Sequence, residues 1–341
     1  MAFVIRVGGA GGVVRNRMIY NQGSNIWADF MKERLRTYTP HLYATVFVLA
    51  LVTGIGGYMI YEGQSAGITV IEMEGAPNDI VFIADPHLKS GNLAFMRSVT
   101  EEINALNASL VLIGGDFVTS DDDDLSYQNV WAGINAPVYA VLGNHDYMAG
   151  VHGLNGPKKM LAMREADLSV DGYDVSMLQD DPLIDLAYGA AIAATLEGAG
   201  VHVMKNEYEL LNLRGRELML VGVDDGWAGR ADPPDVPETD AFTIYMIHEP
   251  GARADWDADL ILCGHLHGGQ FSAPGIDLIK KAGIVDVQGF CSHGETPCFI
   301  TRGIGSSSMI EHDLRFGTPP EIVVINPSVP IDGAVVVRAR D

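Results

Sequence analysis

The chain has few cysteines and few basic residues. Three cysteines occur in 341 residues, and their spacing matches no metal-binding cysteine motif. The 22 lysines and arginines are outnumbered by 44 aspartates and glutamates, which gives a formal net charge of −22. Because proteins that bind the nucleic-acid backbone need clustered Lys and Arg, we expect no nucleic-acid partner.

The cysteines differ in their sequence surroundings. Cys263 lies within an apolar run typical of a core strand, so we interpret it as a small, inert apolar residue. Cys291 and Cys298 could pair if this part of the chain lies outside the cytoplasm, where disulfides persist. The sequence leaves their pairing open.

One segment lacks charge altogether. Residues 42–61, LYATVFVLALVTGIGGYMIY, form an uncharged run. At about 1.5 Å per helical residue the run is about 30 Å long, which matches the hydrocarbon thickness of a bilayer. We therefore predict a single transmembrane anchor. The alternatives are a buried helix of a soluble core and a cleaved secretory signal, for which the small residues at 64–67 would be the processing site.

The charges on either side of this segment predict its orientation. Basic residues precede it at Arg6, Arg15, Arg17, Lys32, Arg34 and Arg36, and acidic residues follow it at Glu62, Glu72, Glu74 and Asp79. Because basic flanks stay in the cytoplasm, we expect a cytoplasmic N-terminus and an extracytoplasmic remainder. Residues 1–41 are interpreted as a flexible tail, and a start at Met31 instead of Met1 remains open. The glycine cluster at 8–12 lacks the Gly-Lys-Ser/Thr of a phosphate-binding loop.

Polar motifs follow five short apolar runs. The runs are DIVFIA, SLVLIGG, PVYAVLG, FTIYMI and DLILCG. The motifs are, in chain order, Asp85-Pro86-His87, Gly115-Asp116, Gly143-Asn144-His145-Asp146, His248 and Gly264-His265-Leu266-His267. Buried strands of an α/β sheet present polar side chains at their carboxyl ends, where ligands bind. The pattern therefore predicts an α/β fold in which these side chains converge on one site.

The residue types in these motifs are metal ligands. Imidazole, carboxylate and amide groups together suit Mn, Fe, Zn or Ni better than Ca or Mg. Two ions about 4 Å apart need a shared ligand, and Asp116 is the bridging candidate. Asp85 and His87 are two residues apart, as are His265 and His267, so side-chain alternation along a strand would point each pair the same way.

The remaining motif residues have supporting functions. Asn144 offers a neutral oxygen, and His248 completes the ligand set. His145 is free to face a substrate, and as an imidazolium it could protonate a leaving oxygen. Asp146 beside it could orient the ring and raise its pKa. Structural or surface functions are expected for the histidines outside the motifs, which are His41, His152, His202, His293 and His312. The acidic run 121–124 is interpreted as a solvated loop.

On these motifs the chain resembles the calcineurin-like metallophosphoesterases, whose pattern is D-x-H, G-D, G-N-H-[DE], H and G-H-x-H. The resemblance covers residues 78–327 and implies a four-layer α/β/β/α sandwich. It implies one metal on Asp85, His87, Asp116 and His267, and a second on Asp116, Asn144, His248 and His265. It also implies that His145 is the catalytic acid and that Asp146 supports it.

The resemblance extends to a membrane-associated prokaryotic branch that contains phosphodiesterases and pyrophosphatases acting on UDP-diacylglucosamine. The segments that carry it are LEGAGVHVMKNE (196–207), VGVDDGWAGRADP (221–233), GHLHGGQFSAPG (264–275), and TRGIGSSS followed by RFGTPPEIVVI. Two departures are Pro86, where the branch more often has Leu or Thr, and the stretch 276–296, which matches weakly and reads as a loop over the site.

We divide the chain into a tail (1–41), the anchor (42–61), a linker (62–77), a metallophosphoesterase domain (78–327) and a C-terminal tail (328–341). Strands are predicted at 79–84, 110–114 and 137–142, and amphipathic spacing over 93–106 predicts a helix. A second helix is predicted over 187–199, and strands at 201–204, 208–213 and 217–223 are assigned to a second sheet. The stretch 147–186 is either a cap over the site or a surface loop.

Arg230, Arg302 and Arg315 are candidates for contacting a substrate oxyanion, and a surface ion pair is the alternative for each. The function expected is a dinuclear phosphohydrolase in which a metal-bridging hydroxide attacks a phosphodiester, phosphomonoester or pyrophosphate. The anchor favours a lipid-linked substrate. The alternatives are a non-catalytic scaffold on the same fold and a phosphodiesterase for soluble nucleotides.

Overall fold

The computed structural model describes residues 22–120, 123–151, 155–271, 286–291, 294–308 and 310–339. The chain divides into two compact units, Met1–Ile55 and Gly56–Asp341. The predictions made for the glycine cluster at 8–12, for His152 and His293, and for much of the loop 276–296 lie outside the described residues.

Helix α1 spans Gln22–Gly63. It contains the predicted anchor but begins twenty residues earlier, so part of the stretch assigned to a flexible tail is helical. The segment Ile26–Gly63 is long and apolar enough to cross a membrane. Its apolar side chains are exposed, with Phe47 at 69% and Val52 at 62% of full exposure. Such exposure does not fit the alternative of a buried core helix.

The first sheet carries three of the predicted motifs. Its strands lie in the order β13, β1, β12, β2, β3, β4 and β5. Their bounds are Gly67–Glu72 for β1, Ile80–Ile83 for β2, Leu110–Gly114 for β3, Val138–Val141 for β4, Val201–Val203 for β5, Glu321–Ile325 for β12 and Val335–Arg338 for β13. Strands β2 to β5 are parallel, and β12 is antiparallel to β2. The carboxyl ends of β2, β3 and β4 therefore lie side by side.

The second sheet carries the other two motifs. Its strands lie in the order β10, β11, β9, β8, β7 and β6. Their bounds are Glu207–Leu213 for β6, Arg216–Gly222 for β7, Phe242–Met246 for β8, Leu260–Cys263 for β9, Gly289–Phe290 for β10 and Cys298–Ile300 for β11. Strands β7, β8, β9 and β11 run parallel, whereas β6 and β10 are antiparallel to their neighbours.

Alternation along the strands builds three apolar layers. Phe82 and Leu112 face Leu262 and other residues of the second sheet, forming the core between the sheets. Val81 and Ile83 face the opposite way, toward α2 (Leu93–Ala105) and α4 (Leu186–Gly198). Because both faces of the first sheet are covered, its central strands are apolar throughout.

The outer face of the second sheet is covered mainly by short segments. Met163 and Leu178, in 3₁₀ turns at Met163–Glu165 and Ser176–Asp180, pack with Trp256 against this sheet. Helix α3, Asn155–Ala162, precedes these turns. The stretch 147–186 thus supplies a covering layer of the sandwich, a function that differs from both the cap and the surface loop considered for it.

Three of the assignments made from the sequence were wrong. The stretch taken for a linker contains β1, and the stretch taken for a C-terminal tail contains β13, which pairs with β1. The strand predicted at 201–204 is β5 of the first sheet, where it pairs with β4.

Cys291 and Cys298 form a disulfide across β10 and β11, and Cys263 is buried with a free thiol.

Candidate active site

The seven predicted metal-ligating side chains all follow central strands of the two sheets. Asp85 and His87 follow β2, Asp116 follows β3, and Asn144 follows β4, whereas His248 follows β8 and His265 and His267 follow β9. Six of them are buried, and Asp85, His87 and His248 are fully inaccessible to solvent. The carboxyl ends of both sheets meet at this point.

The side chains form two groups that share one carboxylate. Ligand atoms of Asp85, His87, Asp116 and His267 lie within 4.8 Å of one another, as do those of Asp116, His248 and His265. Asn144 joins the second group, because its Oδ1 lies 3.0 Å from His265 Nδ1. Asp116 belongs to both groups, which is the arrangement that a bridging ligand requires.

Several atoms in these groups lack the partner that burial normally demands. Asp85 Oδ2 and His248 Nε2 have no hydrogen-bond partner among the described residues. His248 Nε2 lies 3.1 Å from Asp116 Oδ2, but without hydrogen-bond alignment. The Nε2 atoms of His87 and His267 are 3.2 Å apart. Buried carboxylate and imidazole atoms that lie this close together and lack donors fit a cation, so the residues present suit the divalent metals that the motifs imply.

Backbone carbonyls orient two of the imidazole rings. His87 Nδ1 lies 2.9 Å from the carbonyl oxygen of Val118, and His248 Nδ1 lies 2.6 Å from that of Gly114. A ring that donates from Nδ1 to a carbonyl carries its lone pair on Nε2, which is the atom that faces the site. Donation from Nδ1 to these carbonyls would leave Nε2 of both rings to bind a metal.

The backbone at the ligands is left-handed. Asp85, His87 and Asp116 have φ of 55°, 40° and 59°, and His265 and His267 have φ of 72° and 49°. Such values are uncommon outside glycine and concentrate at functional sites. They correct the alternation argument made from the sequence, because these residues lie beyond the strands, and loop conformation brings each pair into the site.

Two glycines make room for the carboxylates. A Cβ on Gly143 would come within 2.6 Å of the Asp116 backbone nitrogen. A Cβ on Gly303, which has φ of +72°, would lie 2.7 Å from Asp85 Oδ2. Gly143 is part of a motif found from the sequence, whereas Gly303 comes from the TRG segment more than 200 residues after Asp85.

Burial and mutual charge shift the ionisation of the ligands. Burial lowers the pKa of His87 and His267 well below the usual value, and it lowers that of His265 to about 4. These rings are thus neutral, as metal binding requires. Burial raises the pKa of Asp85 to about 7. Although burial opposes it, the charge of Asp116 raises the pKa of His248.

His145 lines a cavity beside the ligands. The cavity has a volume of about 280 Å³, and Lys89, Thr119 and Ser308 are among its other lining residues. The His145 backbone N–H donates to Asp116 Oδ1 at 2.8 Å, and its Nδ1 lies 2.9 Å from the carbonyl oxygen of Thr119. Donation from Nδ1 to the Thr119 carbonyl would leave the second ring nitrogen, Nε2, outside this contact.

The predicted contact between Asp146 and the His145 ring was wrong. The Asp146 carboxylate accepts hydrogen bonds from the backbone N–H groups of Gly143, Asp116 and Phe117, at 2.8, 3.0 and 2.8 Å. These donors belong to the loops after β3 and β4. Asp146 therefore ties the two loops together, and the Thr119 carbonyl is the partner of the ring.

The three arginines lie in different environments. Arg302 pairs with Glu321, with 3.1 Å between Nη2 and Oε1, and a Cβ on Gly268, the residue after the last motif, would lie 2.9 Å from its Cγ. Arg230 is exposed. Arg315 is fully buried and donates to the carbonyl oxygens of His267 and Arg302, each at 2.8 Å. A guanidinium so enclosed is not a substrate contact, which corrects the expectation for Arg315.

The sequence reasoning missed the group beside His265. The Trp227 ring packs edge-on against His265, with 4.6 Å between centroids. Glu249 accepts the backbone N–H groups of Gly226 and Trp227, and Asp225 is buried next to it. Glu249 follows the ligand His248 directly, and Asp225 lies in the VGVDDGWAGR segment. These two positions in the sequence could have indicated that Asp225 and Glu249 hold the Trp227 loop against the site.

Comparison with known proteins assigns the class of the chain. The family model for calcineurin-like phosphoesterase matches residues 79–269, more than half of the chain. The chain belongs to this family. It is accordingly a metal-dependent phosphoester hydrolase, and both the two-sheet α/β fold and the family membership expected from the motifs are confirmed.

Three relatives illustrate the similarity. Phosphodiesterase YaeI of Escherichia coli is 28% identical over 83% of this chain and 96% of its own length. The uncharacterized metallophosphoesterase YkuE of Bacillus subtilis is 28% identical over 72% of this chain and 77% of its own. UDP-2,3-diacylglucosamine pyrophosphatase LpxG of Chlamydia trachomatis is 24% identical over 72% and 82%, respectively.

Proposed function

We propose that the chain is a two-metal phosphoester hydrolase. One ion would be held by Asp85, His87, Asp116 and His267, and the other by Asp116, Asn144, His248 and His265. The sharing of Asp116 between the two ligand groups carries this proposal. When bound, two divalent ions would stabilise the attacking and leaving oxygens of an in-line displacement at phosphorus. The ligand types suit Mn, Fe, Zn or Ni.

The protein's own residues supply the proton and the geometry. His145 lines the cavity beside the ligands, which supports proton transfer from its Nε2 to a departing oxygen. Asp146 fixes the loops that carry Asp116 and Asn144. Arg302 and the exposed Arg230 are the candidates for binding outlying oxyanions of the substrate. Both would do so through the fork of their guanidinium groups.

We further propose a lipid-linked phosphodiester or pyrophosphate as substrate. The length and composition of α1 support a membrane anchor, and an anchor would hold the enzyme close to molecules in the same bilayer. The relative LpxG bears the name of a pyrophosphatase for a diacylated nucleotide sugar. The net charge of −22 disfavours nucleic acid as the phosphoester.

The anchor orientation is part of the proposal. Basic residues before the apolar segment support a cytoplasmic N-terminus with the catalytic unit outside. The disulfide between Cys291 and Cys298 supports the same side, because disulfides persist in oxidising compartments.

Hydrolysis by the purified full-length chain in detergent tests the proposed reaction. With Mn²⁺ we expect cleavage of bis-p-nitrophenyl phosphate, loss of activity with a chelator, and recovery on adding metal. Asp116→Asn should lose bound metal, whereas Asp240→Asn, at an exposed position, should not. A metal-loaded chain inert toward every phosphoester tested would instead support the non-catalytic scaffold. Parallel assays with nucleotide-linked lipids and free nucleotides distinguish the substrate classes.

A further inference from the structure

The last eight residues of α1, Gly56–Gly63, pack on the loop that precedes β12. Met59 contributes its carbonyl oxygen, which accepts the backbone N–H of Arg315 at 3.1 Å. The Tyr58 ring meets Phe316 edge-on, with 5.8 Å between centroids. Gly63 is buried, and a Cβ on it would lie 2.8 Å from the carbonyl carbon of Asp313. The helix end and the segment 313–316 are therefore in direct contact.

The same segment reaches the backbone of two predicted ligands. Arg315 Nη1 donates to the carbonyl oxygen of His267 at 2.8 Å. On the other side, Asp313 Oδ2 accepts from Asn92 Nδ2 at 3.0 Å, and Asn92 Nδ2 also donates to the carbonyl oxygen of His87 at 3.1 Å. His87 and His267 belong to one ligand group.

Burial makes these connections stiff. Asp313 and Arg315 are fully buried, and Lys89 Nζ lies 3.0 Å from Asp313 Oδ1. A buried charged group that shifts loses partners that water cannot replace. Displacement of the segment 313–316 would therefore move the backbone of His267 and His87 or leave these charges unpaired.

We propose that the end of α1 is part of the scaffold of the metal site, with Arg315 as a positioning residue that transmits its placement to His267. The inference rests on the proposed function, because it concerns the metal ligands named there. It means that the last eight residues of α1 stabilise the metal site, in addition to connecting the catalytic unit to the proposed membrane anchor. Removing α1 up to Gly63 to obtain a soluble enzyme should then weaken metal binding.

Two glycines of the same helix provide a matched test in the full-length chain. Gly63→Ala places a methyl group against the Asp313 backbone, whereas Gly57→Ala adds one where no atom lies within 4 Å. The Mn²⁺ dissociation constant is measured by calorimetric titration in detergent, with the melting temperature of the metal-free protein as a control for folding. We expect Gly63→Ala to weaken binding about 10- to 100-fold, the usual effect of disturbing groups behind metal ligands, and Gly57→Ala to leave it unchanged.

If Gly63→Ala does not fold, a second pair of variants at two tyrosines of α1 tests the same inference. Tyr58→Ala removes the contact with Phe316, whereas Tyr61→Ala removes a ring that is 70% exposed on the same helix. Weaker Mn²⁺ binding in Tyr58→Ala alone is the expected result. Equal affinities across each pair, in a chain whose wild type binds Mn²⁺ and hydrolyses phosphoesters, would overturn the inference and leave the proposed function standing. A wild type that neither binds Mn²⁺ nor hydrolyses would overturn both.

Discussion

At His145 the backbone and the ring are held by different partners. The backbone N–H donates to Asp116, one of the predicted ligands, and Nδ1 lies next to the Thr119 carbonyl. The ring packs edge-on against His87, with 4.7 Å between centroids. These contacts fix the side chain beside the ligand groups and leave Nε2 available, which suits a proton donor to a leaving group.

His145→Ala should therefore slow hydrolysis by about 10²- to 10⁴-fold, the usual contribution of general acid catalysis. The loss should be larger for esters of alkyl alcohols than for p-nitrophenyl esters, because p-nitrophenolate departs without a proton. Steady-state rates with both kinds of ester measure the difference. An equal loss for both would argue that His145 acts in binding instead of proton transfer.

At the scale of the element, the loops after β3 and β4 form one unit. Asp146 accepts backbone N–H groups from both loops, so the positions of Asp116 and Asn144 are fixed relative to each other. The carboxylate is fully buried. Burial and the nearby Asp116 charge together raise its pKa to about 7. We therefore infer that Asp146 acts as a hydrogen-bond acceptor for these two loops, and that it does not act by placing a charge beside the His145 ring.

Asp146→Asn replaces one of the two acceptor oxygens with a donor that faces backbone N–H groups. We expect the free energy of unfolding to fall by about 1–3 kcal/mol, as when a buried group loses its partner, together with weaker metal binding. Denaturant unfolding and metal titration measure the two effects, with Asp240→Asn as the exposed control. A variant with normal stability and metal affinity but slow turnover would restore the function first predicted for Asp146.

The strands that carry the site were predicted from the sequence more accurately than the strands at the edges of the domain. β2, β3, β4 and β9 are continuous apolar runs, β8 is interrupted only by Thr243, and a polar ligand follows each of them, a pattern that local sequence reveals. β13 is short and mostly exposed, and its pairing with β1 depends on contacts more than 260 residues apart. The left-handed φ values at the ligands and the partner of Asp146 also depend on the assembled fold, which single residues do not encode.

At the scale of the whole molecule, the disulfide and the basic residues before the apolar helix support the proposed orientation. The disulfide at Cys291–Cys298 lies in the catalytic unit, and the basic residues lie before the helix. Reporter fusions after residue 341 test the orientation. An extracytoplasmic reporter such as a periplasmic phosphatase should be active there, and a reporter that functions only in the cytoplasm should be inactive. The reverse pattern would place the site in the cytoplasm.

The pairing of two cations around Asp116 is the claim on which the mechanism depends. Anomalous diffraction from crystals of the Mn²⁺-loaded full-length chain locates bound metal directly. The account predicts two ions per chain about 4 Å apart, with Asp116 as ligand to both and with Asp85 and His248 on opposite sides. A single ion at full occupancy, or two ions that share no ligand, would contradict it.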